Sequence, residues 1–400
     1  MDDEQLICEL RGELARRYGV RSEDARVVFS PYRICPLGAH IDHQQGRVTA
    51  MALDQGVHLA YAPSGSSQVR LGSLAFPGEV AFDLHDIPDA ASGDWGNYAR
   101  GAARALAERH PLRSGIVGVT AGAVAEGGLS SSAAVGVAYL LALEDVNGLQ
   151  ISARENVALD QHIENRYLGL RNGILDQSAI LFSRQDHLTV IDCATVEHEL
   201  IAPPAAISPP AILIVFSGLR KSLVATDYNR RVAECREAAE VLLAAAGRPG
   251  EQPLLGHVSP AEYAAHSDRL SGPPARRAAH FFSEMDRVAR GIFAWQEGDL
   301  AELGRLITAS GESSIRNYEC GALPLVDLYQ ILIATPGVYG ARFSGAGFRG
   351  CCVALVEQRA ALDAAESARS AYGARHPELA DAARAMICRS ADGAKILPSQ

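Results

Sequence analysis

The run AAVGVAYLLAL, from Ala133 to Leu143, carries no charged side chain over about three helical turns. It falls well short of the roughly 20 apolar residues that span a bilayer, so it reads as a helix enclosed by other elements. Only a chain with layers to spare can cover such a helix on every side. This one has 400 residues, 48% hydrophobic and 21% charged, enough for two domains with their own cores. Its acidic start, MDDEQLICEL, lacks the basic and apolar regions of a signal peptide.

Around that helix the first half alternates strand-like and helix-like segments. ARVVFS and RVTAMALDQGVHLAYAP read as strands on either side of a polar loop, and GIVGVTAG and HLTVIDC as two more. ENVALDQHIENRYLG is an amphipathic helix for which Gly169 supplies a C-cap. The Pro-rich stretch Ala202 to Pro210 marks a change of domain, giving an expected division into residues 1–205 and 206–400. Beyond it come a strand, AILIVFSG, and helices over Tyr228–Ala246, Arg276–Glu297, Asp299–Ser310 and Leu323–Ala334. A strand–turn–strand in VYGARFSGAGFRGCCVALV and a terminal helix and strand complete the chain. Elements segregated this way predict an α+β architecture rather than a doubly wound parallel sheet.

The formal net charge of −10 disfavours nonspecific binding to nucleic acid, so any bound anion must be held by a local site. Lysine occurs only as Lys221 and Lys395. That excludes a G-K-[ST] phosphate loop and leaves two candidates for a Schiff base. The eight cysteines show no C-x-x-C spacing, and Cys351 and Cys352 are adjacent. In a chain of this length the pattern indicates reduced thiols in a cytosol, not a disulfide framework or zinc site.

Four places carry candidate chemistry. EGGLSSS opens the apolar helix, and a helix N-terminus with flexible glycines and hydroxyls attracts phosphate and can reach Mg²⁺. The same letters also suit simple N-capping by Ser130 or Ser131. FSGAGFRGC, Phe343 to Cys351, fits either a loop passing close to a ligand or a tight hairpin. Asp176 lies in the apolar setting GILDQSAILF, where a carboxylate needs a partner: a helix cap, an ion pair, or an arginine beside a catalytic base. Upstream, SPYRICPLGAHIDHQQG gathers Arg33, His40, Asp42 and His43 into one loop. Arg33 suits Asp176, and His40 with Asp42 suits a clamp for vicinal hydroxyls, although Asp42 also suits a turn and the histidines a surface.

In this order, PYRICPLGAHIDHQQG, GGLSSSAA, NGILDQS and GARFSGAGFRGCC resemble the GHMP kinase superfamily, and within it the galactokinase-like sugar 1-kinases. DWGNYARG and DYNRRVAECREA extend the likeness, which runs from about Val27 to Val356. The resemblance implies a first domain like ribosomal protein S5 domain 2, a ferredoxin-like second domain, and ATP and sugar in the cleft between them. It implies that Gly127, Gly128, Leu129, Ser130, Ser131, Ser132 and Ala133 hold the phosphates of ATP, with Gly345 and Gly347 closing over them and Trp95 near the nucleotide. Ser132 and Glu164 match the Mg²⁺ contacts, Asp176 the general base, and Arg33 the residue that stabilises developing charge. His40, Asp42, Gly173 and Tyr228 match sugar-contacting positions.

The sequence departs from the galactokinase pattern at informative places. Galactokinases carry a glutamate, which accepts from the sugar's 6-hydroxyl, where this chain has Ala39. A C6 carboxylate would be repelled by that glutamate, by several kcal/mol in a poorly solvated pocket. Where galactokinases tend to carry P-C-G, this chain has Arg171, Asn172 and Gly173, and the first two are candidate donors to such a carboxylate. Tyr32 replaces a small residue, and Glu126 stands at a position usually glycine. The expectation is a kinase that phosphorylates D-galacturonate at its anomeric hydroxyl, with galactose or glucuronate as alternative substrates. A non-catalytic sugar sensor is the alternative of another class. Membranes and nucleic acids are not expected partners, and the oligomeric state is open.

Overall fold

The computed structural model describes residues 3–122, 127–219, 225–345, 347 and 350–398. The first half holds helix α1 (Asp3–Tyr18), strands β1 (Arg26–Ile34), β2 (Arg47–Pro63), β3 (Gln68–Ser73) and β4 (Val80–Asp83), and helix α2 (Asn97–Ala107). Strand β5 (Ile116–Ala121), helices α3 (Ser131–Asn147), α4 (Ala153–His162) and α5 (Leu175–Phe182), and strands β6 (Leu188–Asp192) and β7 (Glu197–Ile201) follow. The second half begins with β8 (Ala211–Phe216) and helices α6 (Ala225–Ala245), α7 (Pro260–His266), α8 (Gly272–Glu297), α9 (Leu300–Arg316) and α10 (Leu323–Ala334). It ends with β9 (Val338–Phe343), β10 (Cys351–Val356), α11 (Ala361–Arg375), β11 (Arg384–Cys388), β12 (Ser390–Ala391) and β13 (Lys395–Ile396).

The 17-residue β2 is the spine of the first sheet. Its beginning pairs with β6 and its end with β5, both antiparallel, while β1 runs along its other edge. The register between β1 and β2 shifts between Pro31 and Arg33. Pro31 cannot donate to the ladder, and a Cβ on Gly56 opposite it would lie 2.3 Å from the Ser30 carbonyl. A bulge at this proline therefore needs glycine across from it, and it re-aims Arg33. Pro31 consequently sits inside a strand. Helix α3 is the enclosed helix expected from its composition: Ala133, Ala134, Val137, Leu140 and Leu143 are buried in the core shared with β1, β2 and α2.

The second sheet is antiparallel in the order β11-β8-β10-β9. Numbered along the chain, that is 4-1-3-2, the order of a ferredoxin-like unit with a helical excursion after its first strand. All six residues of β8 are buried. Ile212, Ile214 and Phe216 join one core with Val288, Trp295 and Ile307, while Leu213 and Val215 join another with Ala238, Leu328 and Tyr372. The molecule is α+β, with two sheets each covered by helices. The chain passes from one sheet to the other through the Pro-rich stretch, between Ile201 and Ala211. Its tail does not stay with the second sheet. Ser390 pairs with Leu53 and Ile396 with Val28, so β12 and β13 return to the first sheet and β13 covers the open edge of β1. No helix among the described residues is long and apolar enough to cross a membrane.

Candidate active site

The β1–β2 loop, the start of α3, the turn before α5 and the end of β9 meet around a cavity of about 400 Å³. Arg33, Ala39, His40, Asp42, Ser132, Arg171, Asn172, Gly173, Asp176, Tyr228 and Gly345 all line it. At its centre the Arg33 Nε donates to Asp176 Oδ1 at 2.7 Å. Arg33 is sealed, at 4% side-chain exposure, while Asp176 stays 25% open to the cavity. Burial alone would push the guanidinium down; the adjacent carboxylate outweighs it and holds the arginine firmly charged. Asp176 thus has one oxygen anchored and its carboxylate facing the space where a substrate sits.

The phosphate side is built from backbone. Ser130 precedes α3 in a left-handed conformation, φ 56°, and its side chain makes no cap hydrogen bond. Its buried Oγ has no partner. Simple N-capping by Ser130 is therefore not what this residue does. Gly128, at φ +99°, packs so closely that a Cβ would lie 2.9 Å from Cys351 Sγ. Its carbonyl accepts from Ser344 Oγ at 2.5 Å and from Arg33 Nη1 at 3.3 Å. The Leu129 carbonyl accepts from the Arg33 N–H, tying the loop to β1. A Cβ on Gly345 would reach Gly128 Cα at 3.0 Å, and one on Gly350 would reach the Gly127 carbonyl at 2.5 Å. The late glycine turn is therefore both a β9–β10 hairpin and a close neighbour of the early one. Gly347 packs instead on Cys320. Ala133 is fully buried.

Behind Ser132, Glu164 lies buried on a π-helical turn, Ile163–Tyr167, that continues α4. Such turns recur at functional sites, and the wider spiral carries the chain to the left-handed Gly169. Burial, followed by the Asp176 charge, pushes the Glu164 carboxyl up to about 7, while Asn172 and Ser132 pull against them. Its Oε2 accepts from Asn172 Nδ2 at 2.7 Å, and its Oε1 has no partner.

The sugar side is built from side chains. His40, in a left-handed conformation, stacks on Tyr318 with ring centroids 4.2 Å apart. Burial drives its imidazole well below its ordinary pKa, so it is neutral. Burial, then the charge of Asp176, raises Asp42 to about 6. Gly173 leaves room for Asp42, because a Cβ there would lie 2.2 Å from its Oδ2. Burial, then Asp42, raises the Tyr228 hydroxyl well above its usual range. Ala39 is buried, and its carbonyl is 2.9 Å from His280 Nε2.

Three family models match the chain: GHMP kinases N terminal domain over residues 97–184, GHMP kinases C terminal over 292–375, and the galactokinase galactose-binding signature over 13–63. A galacturonokinase of Arabidopsis thaliana is 49% identical over 98% of both chains. The chain is a GHMP kinase. Within that family it is galactokinase-like: a galactokinase of Roseiflexus sp. (strain RS-1) is 33% identical over 96% of both chains. The crystal structure of Lactococcus lactis galactokinase complexed with galactose superposes with a TM-score of 0.89. It has 29% identity and covers 98% of this chain and all of that one.

Against this GHMP kinase framework, a few expected residues sit differently from their anticipated roles. Asn172 lines the cavity, and its Nδ2 also donates to Glu164 Oε2. Arg171 is exposed at the cavity mouth. Trp95 is outside the cavity lining; it stacks on Phe76 and donates to the Pro77 carbonyl at 3.3 Å. Tyr32 is buried in the core, and Glu126 lies outside the described residues. Sequence reasoning missed the floor of the sugar side. Gly38 N–H donates to Glu284 Oε1 at 2.8 Å, and Arg287 and Ser310 donate to the same carboxylate. Arg342 lies against this group and lines the cavity. A buried Glu and Arg inside apolar elements, as in FFSEMDR and YGARF, were the available signals.

Proposed function

We propose that this chain is an ATP-dependent kinase that converts D-galacturonate to α-D-galacturonate 1-phosphate. The observation that carries the reading is Ala39. It lines the same cavity as the Arg33–Asp176 pair and leaves apolar space where a galactokinase has a carboxylate. The 49% identity to a galacturonokinase over 98% of the chain supports the same substrate.

The Asp176 carboxylate takes the proton of the C1 hydroxyl as that oxygen forms its bond to the γ-phosphorus. The bond to the β-phosphate breaks and ADP leaves. Arg33 holds Asp176 in place before transfer and shares the phosphoryl charge during it. The α3 start and Gly128 receive the phosphates of ATP through backbone N–H groups. Ser132 and the partnerless Oε1 of Glu164 offer a hydroxyl and a carboxylate oxygen that fit Mg²⁺. When bound, that ion neutralises phosphate charge. We divide the chain for this purpose at about residue 205, returning 390–398 to the first domain. The free state of all eight cysteines supports a reducing, cytoplasmic setting.

Comparing kcat/KM for galacturonate, glucuronate and galactose tests the proposal. Galacturonate is expected to lead, and equal or better turnover of galactose would overturn it.

A further inference from the structure

The geometry points to Arg342, not Arg171, as the cation that receives the C6 carboxylate of the sugar. This assignment rests on the uronate reading above and names the group that carries it.

Arg342 is 1% exposed at the end of β9, yet it lines the sugar cavity together with Ala39 and Cys35. Its hydrogen bonds go to neutral groups. Nε donates to the Phe343 carbonyl at 3.0 Å, and Nη1 to Ser310 Oγ at 2.9 Å. Nη2 makes no hydrogen bond to the described residues. The nearest carboxylate, Glu284, stands 3.7 Å away at Oε1. That oxygen is already taken by the Gly38 N–H and by Ser310 Oγ, while Oε2 accepts from Arg287 at 2.7 Å. Two guanidinium groups thus share one carboxylate. Burial lowers the pKa of His280, packed beside them, while Glu284 pulls it the other way. With Arg287 in close contact and Arg342 in a longer ion pair to the same Glu284, the floor of the cavity keeps a net positive charge, an arrangement that is costly unless a ligand completes it. Glu284 fixes its place, since the same Oε1 holds Gly38, the residue before Ala39. A glutamate at position 39 would add a second carboxylate to the cavity that Arg342 lines and compete for its charge; alanine leaves the charge to the substrate. Arg171, exposed at the mouth with no hydrogen bond to the described residues, is too well solvated to supply the same selectivity.

The test uses the full chain with an unhydrolysable ATP analogue and measures calorimetric Kd values for galacturonate and galactose. Arg342→Gln is expected to weaken galacturonate binding about 10- to 100-fold and to change galactose binding by no more than about threefold. Arg342→Lys should fall between. Equal losses on both sugars, or a larger galacturonate loss in Arg171→Ala, would overturn the assignment. Ala39→Glu supplies an independent arm should the arginine variants fail to fold. It must lose galacturonate selectivity, and retention of wild-type selectivity counts against Arg342. Where the variants fold, adding Arg342→Gln to Ala39→Glu should change galacturonate binding little, because the two act on one interaction. Wild-type protein that prefers galactose would remove the uronate reading first, before any variant is made.

Discussion

The two sides of the cleft solve opposite problems with opposite materials. On the phosphate side, Gly128, Gly345 and Gly350 pack so closely that a Cβ on any of them would lie 2.5–3.0 Å from its nearest neighbour. On the sugar side, Glu284, Arg287, Arg342, His280 and Tyr318 bury charge and aromatic surface beneath a loop. A phosphate chain is the same in every substrate, so backbone N–H groups suffice for it. A sugar must be told from its neighbours, and only side chains placed at fixed depth can do that. Arg33 joins the two, donating to Asp176 on one side and to the Gly128 carbonyl on the other.

The largest expected effect falls on that seam. Asp176→Asn keeps an acceptor for Arg33 but removes the base, so kcat for ADP release should drop about 10³-fold or more, with little change in KM for ATP. Turnover retained within about tenfold would mean the two sides meet without a base between them.

Next comes the sugar-side floor. Burial alone would raise Glu284, but His280, Arg287, Arg342 and Ser310 together hold it down at about 2, against an ordinary 4.5. A depressed carboxylate stabilises the fold above its unfolded pKa and loses that contribution as pH falls toward the folded value. Glu284→Gln should therefore cost about 3 kcal/mol at pH 7. In urea unfolding, the gap to wild type should shrink below about pH 4.5 and vanish near pH 2. A gap that is constant with pH would show that Glu284 acts by packing rather than by charge.

The phosphate side is more rigid but less charged, so its variants should cost less stability and more nucleotide affinity. Gly128→Ala places a Cβ 2.9 Å from Cys351 Sγ and 3.2 Å from the Cys351 N, at φ +99°. Strain of about 1–3 kcal/mol should raise KM for ATP roughly tenfold while leaving sugar binding within about twofold. An equal rise in both constants would erase the division between the two sides.

That division also explains which parts were legible beforehand. The phosphate side lies in contiguous letters, GGLSSSAA and FSGAGFRG, whose glycines announce tight backbone. The largely apolar strands β1, β2, β5 and β8 and the helices α6 and α8–α10 were readable for the same local reason. Arg342 and Glu284 looked like ordinary residues of a strand and a helix. Their meaning comes from a contact between Gly38 and Glu284, 246 positions apart, that no local pattern encodes. The π-turn that aims Glu164 and the return of β12 and β13 to the first sheet were likewise tertiary choices. Short terminal strands carry little periodicity, and what orders them is pairing with the first sheet, β12 with β2 and β13 with the open edge of β1. Asn172 and Arg171 both line the cavity, but only tertiary contacts show that the Asn172 amide also donates to Glu164.

The smallest expected effect sharpens the comparison by sitting outside both sides. Arg171 is exposed, and a charge in water at the cavity mouth is screened within a Debye length of about 8 Å at physiological salt. It can steer an anionic sugar inward without holding it. Arg171→Ala should therefore raise KM for galacturonate about threefold at low salt, with kcat unchanged, and the effect should fade as ionic strength rises. Salt titration of the KM ratio measures this directly. A larger loss that persists in high salt would place Arg171 among the buried contacts and move the boundary of the sugar side outward to the cavity rim.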